Sequence, residues 1–124
     1  MIPKFRAWDK RENTMRDVAV LHFTKGGKVN SIEYWKTPSE LKSYHVRNLV
    51  LMQSTGLKDK NDVEIFEGDI GWDDHQEVHG QVIFENGAFK YEWENISEDL
   101  FEVTDDIEIV GNIYENSELL EETE

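Results

Sequence analysis

Apolar and polar residues alternate most cleanly in two neighbouring segments, Val78–Glu85 and Ala88–Glu94. In the first, Val78, Val82 and Phe84 are apolar, with His79, Gln81 and Glu85 opposed. In the second, Phe89, Tyr91 and Trp93 face away from Lys90, Glu92 and Glu94. A period of two is the mark of a half-buried strand. Asn86-Gly87 lies between the segments and suits a two-residue hairpin turn in which both residues take positive φ. That loop pairs Phe84 with Phe89, Val82 with Tyr91 and Gly80 with Trp93, all on one face, with Gly80 leaving room for the indole. The hairpin is therefore expected to bury Val82, Phe84, Phe89, Tyr91 and Trp93.

Weaker patterns extend this picture. Lys4–Asp9 reads as a strand, Lys10–Asn13 as a polar turn, and Met15–Thr24 as a loosely alternating strand. Lys25-Gly26-Gly27-Lys28 turns into a strand over Val29–Trp35. Thr37-Pro38-Ser39-Glu40 has the form of a capping box with Pro at the first helical position, and Leu41 and Tyr44 are three apart. A helix over Pro38–Val46 is expected. Leu49–Met52 reads as a buried strand, and Glu64–Phe66, Ile70–Trp72 and Ile107–Tyr114 as short ones. An acidic loop fills Ser97–Asp106, and 116–124 is an acidic tail that forms one helical turn or frays. The five short strands of the second half fit a small SH3-like barrel, while pattern alone leaves an OB-like barrel or a sandwich open. The fold class is mainly β within an α+β frame: an N-terminal α+β part over 1–52, a barrel over 53–115, and the tail.

Composition narrows the function classes. The chain has 124 residues, 38% hydrophobic, with no cysteine, so disulfides and thiolate metal sites are excluded. No run approaches the roughly 20 apolar residues that span a bilayer, and MIPKFRAWDK lacks the apolar centre of a secretory signal. No membrane association and a cytoplasmic location are expected. The net charge of −14 is unevenly divided. Residues 1–60 hold 12 Lys and Arg against 6 acids, whereas residues 61–124 hold Lys90 alone against 21. Such an acidic half attracts a basic partner, and the same asymmetry also serves folding of the two halves against each other.

Three separated blocks, FRAWD at Phe5–Asp9, MQSTGLKDKNDVEIFEGDI at Met52–Ile70 and EIVGNIYENSELL at 108–120, together resemble the YopX-like proteins of phages and prophages of Gram-positive bacteria. The resemblance covers nearly the whole chain and implies a C-terminal SH3-like barrel with an added N-terminal α+β part, but no biochemical activity. The chain departs from the family pattern at Asn61-Asp62, Gly71 and Ser117, where the family commonly has Asn-Gly, a hydrophobic residue and Pro. Asn61 is then the residue expected to tolerate a left-handed turn position. Within the family motif, Glu67, Gly68, Asp69, Gly111 and Asn112 are read as structural. Glu67 and Asp69 share a face as a potential carboxylate pair, but Gly68-Asp69 also shapes a strand entry with Asp69 accepting from nearby amides.

Candidate chemistry is sparse. Asp73, Asp74, His75, Glu77 and His79 are the one plausible metal cluster, and on a strand His75, Glu77 and His79 share a face. That face opposes Val78, Val82 and Phe84, so solvation explains it without a metal. No nucleophile elbow, phosphate-binding loop or nucleotide fingerprint is present. Neither a catalytic residue nor a cofactor is assigned. The leading expectation is a non-enzymatic module that binds an unidentified protein, basic or a second copy of itself, with Arg6, Trp8, Trp72, Asp105 and Asp106 as candidate contacts. The alternative is nucleic-acid binding by Arg6, Lys10, Arg11, Arg16, Lys25, Lys28, Lys36, Lys42 and Arg47, set among Trp8, Tyr34 and Trp35. Total charge argues against it unless those cations converge on one patch.

Overall fold

The structure is a computed structural model described over residues 4–121, and it is built almost wholly from antiparallel strands. Two units meet in sequence at Gln53/Ser54. The first contains β1 (Phe5–Asp9), β2 (Thr14–Phe23), β3 (Val29–Thr37), β4 (Glu40–His45), a 3-10 turn at Val46–Asn48 and the start of β5 (Leu49–Lys58). Its strand order is β4-β3-β2-β1-β5. Ala7, Ile32, Tyr34 and Leu49 form its buried core, with Val18, Leu21, Val29, Tyr44 and Leu51 packed around them.

The expected helix over Pro38–Val46 is absent, and with it the α+β character of the first part. Thr37-Pro38 instead turns the chain, and β4 pairs back on β3 with Ile32 opposite Tyr44 and Trp35 opposite Leu41. The same four residues that form a capping box also fit a β-turn with Pro at its second position. A nine-residue helix is marginal alone. Pairing with β3 satisfies the backbone and covers a strand that would otherwise be an open edge.

The second unit holds the rest of β5, which pairs with β6 (Glu64–Phe66), and a five-stranded sheet in the order β10-β9-β8-β7-β11. These are β7 (Asp69–Asp73), β8 (Val78–Glu85), β9 (Ala88–Trp93), β10 (Ile96–Asp99) and β11 (Ile107–Asn112). Two short helices, α1 (Leu100–Val103) and α2 (Glu118–Glu121), complete it. Among the described residues no sheet closes on itself, and β10 replaces β6 in the strand set expected of a barrel. The acidic segment 97–106 is therefore not a loop: it supplies an edge strand and α1, because Leu100 and Val103 join Ile65, Val82, Tyr91 and Ile107 in the core. No helix of the described residues is long and apolar enough to cross a membrane.

The hairpin turns at Asn86 (φ 53°) and Gly87 (φ 80°), with Phe84 opposite Phe89 and Val82 opposite Tyr91. Two details differ from expectation. Phe84 is 50% exposed, because the hairpin tip extends beyond the core and leaves its ring edge-on to Phe89. The ring accommodated by Gly80 is Tyr91, not Trp93, since a Cβ at residue 80 would collide with Tyr91 Cε2 and Oη. Gly71, paired with Gly80 across β7 and β8, lies under the same ring. In the 61–62 turn it is Asp62, at φ 68°, that takes the left-handed position, not Asn61.

Candidate functional site

Gly68, Asp69 and Asn112 each bond to neighbouring backbone. Gly68 takes φ 88°, donates to the Val82 carbonyl at 2.8 Å and accepts from the Ile113 amide at 2.9 Å. Asp69 is buried and accepts the Phe66 amide at 2.7 Å. It does not form an open carboxylate pair with Glu67, because Asp69 is buried while Glu67 is partly exposed. Gly111 leaves space for the Asn116 side chain. Asn112 accepts from the Tyr114 and Glu115 amides at 3.0 and 2.9 Å and donates Nδ2 to Glu115 at 2.8 Å. Asp59, which no local pattern singles out, is buried and accepts three amides: Asn61 at 2.8 Å, Val63 at 2.9 Å and Ile109 at 2.7 Å. Asp9 plays a similar part in the first unit, accepting the Arg11 amide at 3.0 Å and pairing with Arg16 at 3.3 Å.

The proposed metal ligands do not assemble on a strand. Residues 74–77 form a turn, closed by the Glu77 amide donating to the Asp73 carbonyl at 2.8 Å, with Glu77 at φ 55°. The Asp73 carboxylate is occupied by the His75 and Gln76 amides at 2.8 and 3.3 Å. His79 lies against Trp72 instead, ring centroids 4.7 Å apart. Among the described residues no group of three or more His, Asp or Glu is arranged to hold a metal ion.

The five partner-contact candidates separate between the units. Arg6 and Trp8 are on β1, where Arg6 is half-buried and Trp8 only 8% exposed. Trp72, Asp105 and Asp106 come together in the second unit. Ile107 pairs with Asp73 and Glu108 with Trp72, so the turn before β11 lies beside the turn after β7. This end of the sheet is strongly acidic. The Lys60 ammonium meets Asp74 there at 2.8 Å, and Trp72 Nε1 donates to the same carboxylate at 2.5 Å. The Lys60 bond first, and the indole second, hold the Asp74 carboxyl below its ordinary value. Asp74 raises Lys60 in return. Burial, reinforced by Asp73, pushes the Tyr91 phenol well above its usual range and keeps it neutral.

Helix α1 leads into this acidic end. Its inward residues are Leu100 and Val103, which leaves Phe101 and Glu102 outward. Phe101 is 76% exposed, more than any other large apolar side chain described, and Asp105 and Asp106 beyond it are exposed as well. Sequence pattern gave no warning of Phe101, since the whole stretch 97–106 reads as an acidic loop.

Over residues 4–121 the chain matches the family model described as YopX protein. No curated protein matches it. Among solved structures it is similar to protein EF1440 from Enterococcus faecalis, at 32% identity over 97% of this chain and 99% of that one, with a TM-score of 0.75. It is also similar in fold to protein yopX from Bacillus subtilis, at 21% identity over 94% and 97% of the two chains, with a TM-score of 0.60. A family model that fits 4–121, and a relative sharing a third of its residues along almost its full length, lead to one conclusion: the chain belongs to the YopX family.

Proposed function

We propose that the protein is a non-enzymatic interaction module whose acidic sheet end docks a basic partner protein. The observation that carries this reading is Phe101, exposed on α1 and followed by Glu102, Asp105 and Asp106. An exposed aromatic ringed by one sign of charge suits a segment that offers an apolar side chain among Lys or Arg. The field behind it is large: residues 54–124 carry 3 Lys against 22 acids. Such a field speeds encounter with a cationic partner and loses reach in salt. An SH3-like arrangement of the short strands, a phage or prophage origin and work in the bacterial host cytoplasm belong to the same reading and rest on family resemblance.

Nucleic-acid binding through the first unit is the weaker reading. Of the aromatics among its cations, Trp8 and Tyr34 are buried and only Trp35 is exposed. Arg16 is already committed to Asp9 and Glu12. The test is affinity capture from a Gram-positive cell extract with three baits: the native protein, Phe101→Ser, and Asp105→Lys with Asp106→Lys. A protein held by the first bait and lost from both variants supports the surface; equal capture by all three removes it.

A further inference from the structure

In the first unit, a cleft of about 540 Å³ opens between the turn after β1 and the outer edge of the sheet. Three fixed positive charges line it from three different segments: Arg11 in the turn, Lys42 on β4 and Arg47 in the 3-10 turn. Among the described residues none of the three forms an ion pair, whereas Lys58, Lys60 and Lys90 each meet a carboxylate. The one acid lining the cleft, Glu12, is held by Arg16 at 2.8 Å. His45 also lines it, and its Nδ1 accepts the Arg47 amide at 3.1 Å. In the neutral ring that bond leaves the proton on Nε2, so His45 adds a donor there. Like charges gathered without counter-ions repel one another. Residues 1–53 hold 10 Lys and Arg against 5 acids, and three of those cations without a carboxylate partner share this one cleft.

We propose that this cleft binds a phosphate-bearing ligand of about nucleotide size. Guanidinium forks grip phosphate oxygens in pairs, and an ammonium adds a point charge. The volume lies within the roughly 300–1,000 Å³ range of small-molecule sites, and Tyr44 supplies an apolar wall. A free nucleotide and the phosphates of a nucleic-acid strand share this chemistry. The proposal does not depend on the acidic surface of the second unit.

Isothermal titration calorimetry on the full chain at near-physiological salt tests it with four probes: inorganic phosphate, a nucleoside diphosphate, the parent nucleoside and a short oligothymidylate. At least one phosphate probe is expected to bind while the nucleoside does not. Lys42→Gln and Arg47→Gln, each checked for native unfolding behaviour, are expected to weaken that binding about tenfold, as loss of one charge-assisted phosphate contact does. Lys58→Gln, on β5 and already paired with Asp62, leaves it unchanged. Tight binding of the diphosphate identifies a free nucleotide as the source, and binding of the oligonucleotide alone identifies a strand. Absence of binding by every phosphate probe, or equal loss in all three variants, overturns the proposal.

Discussion

The Tyr91 ring occupies the space that a side chain at Gly80 would need. Tyr91 is 1% exposed and belongs to the core of the second unit, so the ring has nowhere to retreat. Gly80→Ala should therefore destabilise the protein by about 2–3 kcal/mol, the upper part of the range for overpacked cores. Adding Tyr91→Leu should recover part of that loss in urea unfolding, giving a coupling energy between the two sites. Independent, additive effects would show that the contact is slack.

Phe84 offers the opposite case. At 50% exposure it lies at the hairpin tip, its ring edge-on to Phe89. Phe84→Ala should cost less than about 1.5 kcal/mol, the scale of an aromatic pair. Ile65→Ala, at a fully buried position, should cost about 2–5 kcal/mol. Equilibrium unfolding of the two variants side by side decides the ranking.

Asp59 binds three amides, one of them Ile109 from fifty residues away. Asp59→Ala strips a buried charge from all three and leaves the N–H groups unpaired. A loss of about 3–5 kcal/mol is expected, since hydrogen bonds to a charged group contribute about 1.5–3 kcal/mol each and are not fully additive. Asp59→Asn, which keeps one carbonyl oxygen, should fall between Ala and the native protein. Near-native stability of the Ala variant would mean that the loop is satisfied by water.

The Lys60–Asp74 pair gives a pH signature. Asp74 has a lowered folded-state pKa, so its contribution is present above the ordinary carboxylate value and fades as pH falls through the folded one. Lys60 has a raised pKa, so its contribution is present below the ordinary lysine value and fades as pH rises through the folded one. Both groups are solvent-exposed, and the effect on stability is small. Carboxyl-carbon NMR is the sharper readout. In Lys60→Met the Asp74 titration should move up toward the ordinary carboxylate range, with the Trp72 bond holding back the remainder. An unmoved midpoint would refute the pairing in solution.

What the sequence disclosed depended on range. The hairpin was legible because turn and alternation are both local, and Val78–Glu85 and Glu64–Phe66 coincide with β8 and β6. The segment after Thr37 was not, because its four residues suit either a helix start or a β-turn, and pairing with β3 decides between them. Leu100 and Val103 were hidden in an acidic stretch, since their burial depends on strands before and after α1. Of the candidate contacts, Asp105, Asp106 and Trp72 came together because Asp73 pairs with Ile107. Trp8 is buried, and exposed Phe101 was overlooked because exposure is not a property of a single residue type.

The central claim is an acidic docking surface for a basic protein, and it is tested most directly by association kinetics of the captured partner across a salt series. The field has a reach of about 10 Å at 0.1 M salt and about 3 Å at 1 M. The association rate should fall steeply over that range, and Asp105→Lys with Asp106→Lys should slow it without unfolding the protein. Phe101→Ser should instead speed dissociation, because an apolar anchor acts after encounter. A salt-independent association rate, unchanged by these variants, would contradict the account.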